Sequence, residues 1–230
     1  MGIVVFNVVV AVLGILISFP MEACVKRFCQ DEKIWEKNFK NDMKFSPKMI
    51  LCISFAWIAL LYLYGISEKF FIYAFLSVIL IIDLFVDLKA QIIPNGLNMV
   101  GFIVGIIYMY VKLVFQIYEG IDLLLGVFVG GGIFLLIALF ALIVYRKEGM
   151  GLGDVKLMGV LGLFLGARNI FQIFIISFTI GAIVSIILLI ARIKKMDDYI
   201  PFGPFIVVST FITMVIPYTV ILPWIEKMLY

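Results

Sequence analysis

Residues 123–145 read LLLGVFVGGGIFLLIALFALIVY, a run without a single charged side chain. A helix needs about 20 apolar residues to cross the hydrocarbon core of a bilayer, so this run is long enough to span one. The whole chain has the same character: 65% of its residues are hydrophobic and 14% are charged. Soluble domains are about 45–50% apolar and about 25% charged. The sequence therefore predicts an all-helical, polytopic membrane protein.

Apolar stretches recur on both sides of this run. They predict about eight transmembrane segments, of which the sixth is short. They cover residues 1–21, 49–67, 70–86, 90–111, 123–145, 157–167, 169–191 and 199–225. The one sizeable hydrophilic stretch is the loop 22–48, between the first two segments. We expect a single integral membrane domain, residues 1–230, with this loop as its only large appendage.

The distribution of Lys and Arg predicts the orientation in the membrane. Loop 22–48 and the alternate loops that follow it carry fourteen of the 18 basic residues. The opposite side carries only Lys69, Lys112, Arg168 and Lys227. Positive charge is retained on the cytosolic side of membrane proteins. Loop 22–48 is therefore expected in the cytosol, with both termini outside.

The composition also limits the chemistry. The chain has no histidine, which excludes Ser-His and Cys-His nucleophiles and HExxH zinc hydrolysis. Three cysteines without a CxxC pair predict neither a disulfide framework nor a metal site. A net charge of +3, scattered along the chain, does not indicate nucleic-acid binding. Acid–base chemistry here must use carboxylates, Lys, Tyr or Cys.

Three aspartates lie where lipid should surround them. Asp83 and Asp87 stand one helical turn apart in LIIDLFVDLKAQIIPN, residues 80–95, and Asp154 opens the sixth segment. A carboxylate near the bilayer centre costs about 2.5–3.5 kcal/mol on insertion scales, so such residues usually have a function. Three interpretations stay open at this point: polar helix packing, a proton relay in a small transporter, and catalysis.

The predicted topology favours catalysis. Asp87 and Asp154 fall at the same shallow depth on the cytosolic face, each two residues before a lysine, Lys89 or Lys156. Two adjacent carboxylates share one proton and can hydrolyse an amide through a bound water. In GMGLGDVKL, residues 149–157, we expect the spaced glycines to adopt backbone angles closed to other residues and to admit an extended substrate.

Three stretches carry a resemblance to a known family. EGMGLGDVKL (148–157), DLKAQIIPN (87–95) and IPFGPF (200–205) resemble motifs of the type IV prepilin peptidases, a branch of the GxGD aspartyl proteases. The resemblance implies that Asp87 and Asp154 are the catalytic pair and that Asp83 has a packing or tuning role. It implies supporting roles for Glu148, Gly149, Gly151, Gly153, Lys156, Lys89, Pro94 and Asn95. It also suggests a substrate path along Pro201, Phe202, Gly203 and Pro204.

The resemblance further implies an activity and a location. The substrates would be prepilins or pseudopilins inserted in the bacterial cytoplasmic membrane, whose short basic leader is cut after a glycine on the cytosolic side. Proteolysis would need no cofactor. Many members carry two CxxC pairs and methylate the new N-terminus with S-adenosylmethionine. This chain has only Cys24 and Cys29 in that region, so we expect no zinc site, and S-adenosylmethionine only if the second activity is present. A transporter and a non-catalytic assembly scaffold remain the alternatives.

Overall fold

The computed structural model describes residues 2–29, 47–146, 151–195, 198 and 200–220, and its regular structure there is entirely helical. The helices are α1 (Gly2–Cys29), α2 (Pro47–Tyr64), α3 (Glu68–Ala90), α4 (Asn95–Phe115), α5 (Ile117–Tyr145), α6 (Leu152–Ile190) and α7 (Gly203–Val215). The all-helical prediction is confirmed. The predicted loop 22–48 begins later than expected, because α1 continues to Cys29. Most of that loop, residues 30–46, lies outside the described residues.

Five of these helices are long and apolar enough to cross a membrane. They are Pro47–Tyr64, Glu68–Ala90, Asn95–Phe115, Ile117–Val144 and Leu152–Ile190. Large apolar side chains cover their outer surfaces, and Phe55, Phe115 and Ile143 are each more than two-thirds exposed. Water would make so extensive an apolar surface unstable, whereas lipid tails match it. The structure is that of a polytopic membrane protein.

One compact unit, residues 1–94, contains α1, α2 and α3. The indole Nε1 of Trp57 on α2 donates to Ser77 Oγ on α3 at 2.9 Å, which joins the two helices inside the apolar core. Ser67 caps the start of α3 by accepting from the backbone N–H of Phe70. At the other end of α3, Lys89 lies close enough to the Cys29 thiol for an electrostatic interaction. The carboxyl ends of α1 and α3 therefore lie together.

The second compact unit, residues 95–230, contains α4 to α7. The sequence predicts a break at residues 112–122, between the fourth and fifth segments. This prediction is wrong, because Gln116 alone separates α4 from α5. Lys112 is helical and buried instead of lying in a loop. Its ammonium pairs with Glu119 at 3.0 Å and donates to Gln116, so the charge is satisfied within the turn. Because its charge is paired, Lys112 can lie within α4, although the sequence predicted it in a loop.

The first arm of α6, residues 152–165, packs along α5 through small residues. Gly126 lies against Gly162, and one turn further along α5, Gly130 lies against the carbonyl of Met158. A methyl group at Gly126 or Gly130 would collide with the backbone of α6. Because the residue numbers rise on α5 as they fall on α6, this arm is antiparallel to α5.

The second arm of α6, residues 167–190, packs along α5 in the opposite sense. Gly130 also approaches Ile170, and the ring of Phe134, one turn later, lies 6.0 Å from that of Phe174. Here both residue numbers rise together, so this arm is parallel to α5. The single stretch of helix that includes Gly166 therefore folds back on itself.

Gly166 makes the reversal. Its φ of 80° and ψ of 168° lie in a region that only glycine occupies readily. The Asp122 carboxylate of α5 sits beside it and accepts a hydrogen bond from the backbone N–H of Ala167, at the start of the second arm. The sequence placed the boundary between the sixth and seventh segments at Arg168. The structure places it two residues earlier.

α7 returns antiparallel to the second arm of α6. Gly181 lies against Phe202 at the start of α7, whereas Gln172, nearer the reversal, donates its Nε2 to the Ile216 carbonyl at 2.8 Å. Successive helical stretches of this unit thus alternate in direction.

Candidate active site

Asp87 lies in the last turn of α3, and its side chain is 3% exposed. The helix ends three residues later, where Gln91 adopts the left-handed conformation, with φ of 55°. The N–H of Gln91 donates to the backbone carbonyl of Asp87 at 2.9 Å. Pro94 stops any continuation, since a proline disfavours helical angles in the residue before it. The carboxylate therefore projects from the carboxyl end of a helix.

Asp83 lies one turn before Asp87 and is 1% exposed. Neither of its carboxylate oxygens has a hydrogen-bond partner among the described residues. Burying an ionised carboxylate without a partner is expensive, so this position suits a neutral acid packed among apolar side chains. The arrangement agrees with a packing or tuning role, which stays a prediction.

Asp154 occupies the first turn of α6 and is 4% exposed. Its backbone N–H donates to the Gly151 carbonyl at 3.1 Å. The first N–H groups of a helix are not used within it and make this end electropositive. A carboxylate here is in a favourable field when it is ionised.

The glycines of the second motif act differently from the prediction. Gly151 has φ of −67° and ψ of 135°, ordinary extended angles, and Gly153 lies inside α6 without a positive φ. The expectation of angles closed to other residues is wrong for both, because α6 already begins at Leu152. An added Cβ at Gly151 would lie 3.4 Å from Asp154 Oδ2, an ordinary van der Waals distance. Gly149 and Glu148 lie outside the described residues.

A hydrogen bond joins the two predicted motifs. Lys156 Nζ, two residues after Asp154, donates to Asn95 Oδ1 at 2.8 Å. Asn95 is the first residue of α4 and the last residue of the first motif. The buried Pro94 and the three residues before it connect Asn95 directly to α3. Lys89, in contrast, is exposed and lies near Cys29.

The IPFGPF stretch begins a helix, as expected. α7 starts at Gly203, with Pro204 in its first turn, where a proline costs no hydrogen bond. The Phe202 ring packs 5.0 Å from Phe178 and 5.9 Å from Phe205, within an aromatic cluster. The predicted substrate path along Pro201 to Pro204 stays a prediction.

Sequence reasoning missed one polar residue near this site. Asn98 on α4 is 4% exposed, and both polar atoms of its side chain lack a hydrogen-bond partner among the described residues. The available signal was its spacing, one turn after Asn95 in an otherwise apolar helix.

Comparison with known proteins identifies the family. The type IV leader peptidase family matches residues 70–186, about half of the chain, and the match includes Asp87, Asn95, Asp154 and Lys156. A protein named prepilin leader peptidase/N-methyltransferase from Legionella pneumophila is 33% identical over 147 residues, which are 62% of this chain and 49% of that protein. One of the same name from Pseudomonas putida is 30% identical over 131 residues, 56% of this chain and 44% of that protein.

The chain spans about half the length of the curated relatives it matches. No solved structure matches it. The family match, which extends from α3 to the second arm of α6, contains both candidate catalytic aspartates and the bond between the two motifs. The chain belongs to the type IV leader peptidase family.

Proposed function

We propose that this chain is an aspartyl endopeptidase that removes the leader peptide from prepilins or pseudopilins. One observation carries the proposal. The segment that matches the family contains two almost fully buried aspartates, Asp87 and Asp154, each within a turn of a helix end. Buried carboxylates in an apolar chain are expensive, and catalysis accounts for their retention.

The proposed reaction needs only these two carboxylates and a water. The ionised carboxylate takes a proton from the water while the water oxygen attacks the scissile carbonyl carbon. The protonated carboxyl donates its hydrogen bond to the developing oxyanion and then its proton to the leaving nitrogen. The C–N bond breaks, giving a leader with a new carboxyl terminus and a mature protein with a free amine. Because the chain lacks histidine, no His-dependent route competes.

The two helix ends suggest different catalytic roles for the two aspartates. Asp154 lies at an electropositive helix start, which stabilises a negative charge by about 0.3–1 kcal/mol at an exposed site and by more when partly buried. Asp87 lies at an electronegative helix end, which favours the neutral acid. We therefore assign water activation to Asp154 and proton donation to Asp87. Environments that differ in this way are how two chemically identical groups take different catalytic roles.

The alternating helix directions support the proposed membrane topology. α5 is antiparallel to the first arm of α6, the second arm reverses at Gly166, and α7 reverses again. This alternation fits eight segments with both termini outside and the starts of α4 and α6 on the cytosolic side. The Lys156–Asn95 bond lies at those two starts. Cleavage would then occur at the cytosolic face of the bacterial cytoplasmic membrane.

A second activity is named in the relatives but has weaker support in this chain. Both quoted relatives carry N-methyltransferase in their names, and this chain covers less than half of each. Methylation with S-adenosylmethionine stays a prediction here. The mass of the first residue of the mature product tests it, since an unmodified amine would remove the methyltransferase from the proposal.

The peptidase proposal is tested with the full chain in liposomes and a synthetic precursor that has a basic leader ending in glycine. Mass spectrometry of the products identifies the bond that is cut. The expected products are the free leader and the intact apolar segment, and the Asp154→Asn variant in matched liposomes should give neither. If the wild-type chain leaves the precursor intact but moves protons across the liposome membrane, the transporter alternative is correct instead.

A further inference from the structure

The Asn98 side chain is an anomaly in the apolar interior. Its Oδ1 and Nδ2 atoms are buried, and neither has a hydrogen-bond partner in the described part of the chain. A buried donor or acceptor that makes no hydrogen bond destabilises a protein relative to an apolar side chain of the same size. Such groups are few in native proteins, and each calls for a physical explanation.

The position of Asn98 relates it to the site. α4 runs parallel to the first arm of α6, because Asn95 bonds Lys156 at one end and the Tyr108 and Phe164 rings stack 6.3 Å apart further along. The buried face of α4 consists of Asn98, Gly101, Gly105 and Lys112. Three residues of helix rise about 4.5 Å, so Asn98 lies one turn inward from the bond between the two motifs.

The chemistry of a carboxamide identifies what it would bind. A primary amide presents one acceptor and two donors, which complement the N–H and C=O of a peptide unit. An extended peptide at membrane depth has no water to satisfy its backbone, and each unsatisfied group there is costly. A protease that holds an extended strand at this depth must supply such partners from its own side chains.

We propose that Asn98 is a substrate-binding residue that hydrogen-bonds the backbone of the substrate beside the scissile bond. The inference rests on the proposed peptidase function. Asn98 is buried in the free protein, so the substrate must displace the side chains that cover it. Substrate entry then provides partners for a carboxamide that has none among the described residues.

The experiment compares the wild-type chain with Asn98→Leu, a substitution of nearly equal volume, on the synthetic precursor in liposomes. We expect kcat/KM to fall about 25-fold, the equivalent of two ordinary hydrogen bonds of about 1 kcal/mol each, and mostly through KM. The thermal midpoint should stay the same or rise, because no internal bond is lost. Thr213→Val is the matched control: Thr213 Oγ1 is also buried without a partner among the described residues, and its removal should leave kcat/KM unchanged.

A scan of precursors with one backbone amide replaced by an ester, outside the scissile bond, tests the contact directly. At one position the ester should lower wild-type kcat/KM about fivefold, the loss of one hydrogen bond, and leave kcat/KM of Asn98→Leu no lower than it is on the amide precursor. Equal kcat/KM for wild type and Asn98→Leu would overturn the inference while the peptidase function stands. So would a loss accompanied by a lower thermal midpoint, with no coupling to any ester. If the wild-type chain does not cleave the precursor, the proposed function itself has failed.

Discussion

The carboxyl end of α3 and the amino end of α6 present the same residue type in opposite settings. Asp87 and Asp154 are almost equally buried, at 3% and 4% exposure. α3 ends three residues after Asp87, and α6 begins two residues before Asp154. The aligned peptide dipoles therefore oppose a charge on the first residue and stabilise a charge on the second. Position on the helix, more than burial, therefore distinguishes the two carboxylates.

The largest effect should come from removing either carboxylate. Asp154→Asn and Asp87→Asn should each lower the rate of precursor cleavage by about 10³-fold or more, since general acid–base groups contribute about 10²–10⁴-fold. Both variants should still fold, because Asn is nearly isosteric with Asp. The measurement is the rate of product formation at saturating precursor.

A precursor with an ester at the scissile bond separates the two roles. An alkoxide needs less help from an acid to leave than an amine does, and the carboxamide that Asp87→Asn introduces would still offer a hydrogen bond to the oxyanion. The ester should restore part of the rate to Asp87→Asn and none to Asp154→Asn. Rescue of the opposite variant would reverse the assignment, and full cleavage of the amide by either would refute the dyad.

The reversal of α6 should produce the next largest effect. Gly166→Ala forces a Cβ into a conformation that costs about 1–3 kcal/mol and into the space of the Asp122 carboxylate. We expect a thermal midpoint lower by several degrees and a matching loss of cleavage. Asp154 lies on α6, which contains this reversal, whereas Asp87 lies on α3, which has none.

Gly65→Ala is the control for this substitution. Gly65 also has a positive φ, of 59°, but nothing lies within 4 Å of an added Cβ. We expect a smaller loss at Gly65, where a positive φ is not accompanied by a contact with the added Cβ. Equal losses for the two variants would show that neither the contact with Asp122 nor the ψ of 168° at Gly166 adds to the cost.

The bond between the two motifs should have a moderate effect. Lys156→Met removes the donor to Asn95, and we expect kcat/KM to fall about fivefold, the equivalent of about 1 kcal/mol. Asn95→Leu should have the same effect, and the double variant should be no worse than either single one. Lys69→Met, at another exposed lysine, is the control and should leave cleavage unchanged. Additive losses would show that the two side chains act independently.

The smallest effect should come from Asp83, one turn from Asp87 on the same helix. Asp83→Asn should retain most of the cleavage, within about twofold of the wild-type rate, because both Asp83 oxygens lie in an apolar setting without a partner among the described residues. The matched comparison is Asp87→Asn, an identical substitution four residues away. Complete loss in Asp83→Asn would mean that the catalytic pair was wrongly assigned.

The sequence by itself determined the class of protein and the candidate residues. Long charge-free runs dictate membrane helices, since a bilayer tolerates no unpaired backbone, and the missing histidines leave carboxylates for hydrolysis. The motifs around Asp87 and Asp154 lie within the segment that matches the family. These features are local in the chain, and local physics is sufficient to predict them.

Other features depend on side-chain contacts and helix boundaries that are visible only in the fold. Lys112 lies within a helix because Glu119 and Gln116 satisfy its charge, which hydropathy cannot foresee. Gly166 reverses α6 because Asp122, 44 residues earlier, caps the second arm. Gly151 and Gly153 keep ordinary angles because α6 already begins at Leu152. The burial of Asn98, whose carboxamide has no hydrogen-bond partner among the described residues, likewise could not be read from hydropathy. The contact between Asp122 and Ala167 joins residues far apart in the chain, and no periodicity in the sequence records it.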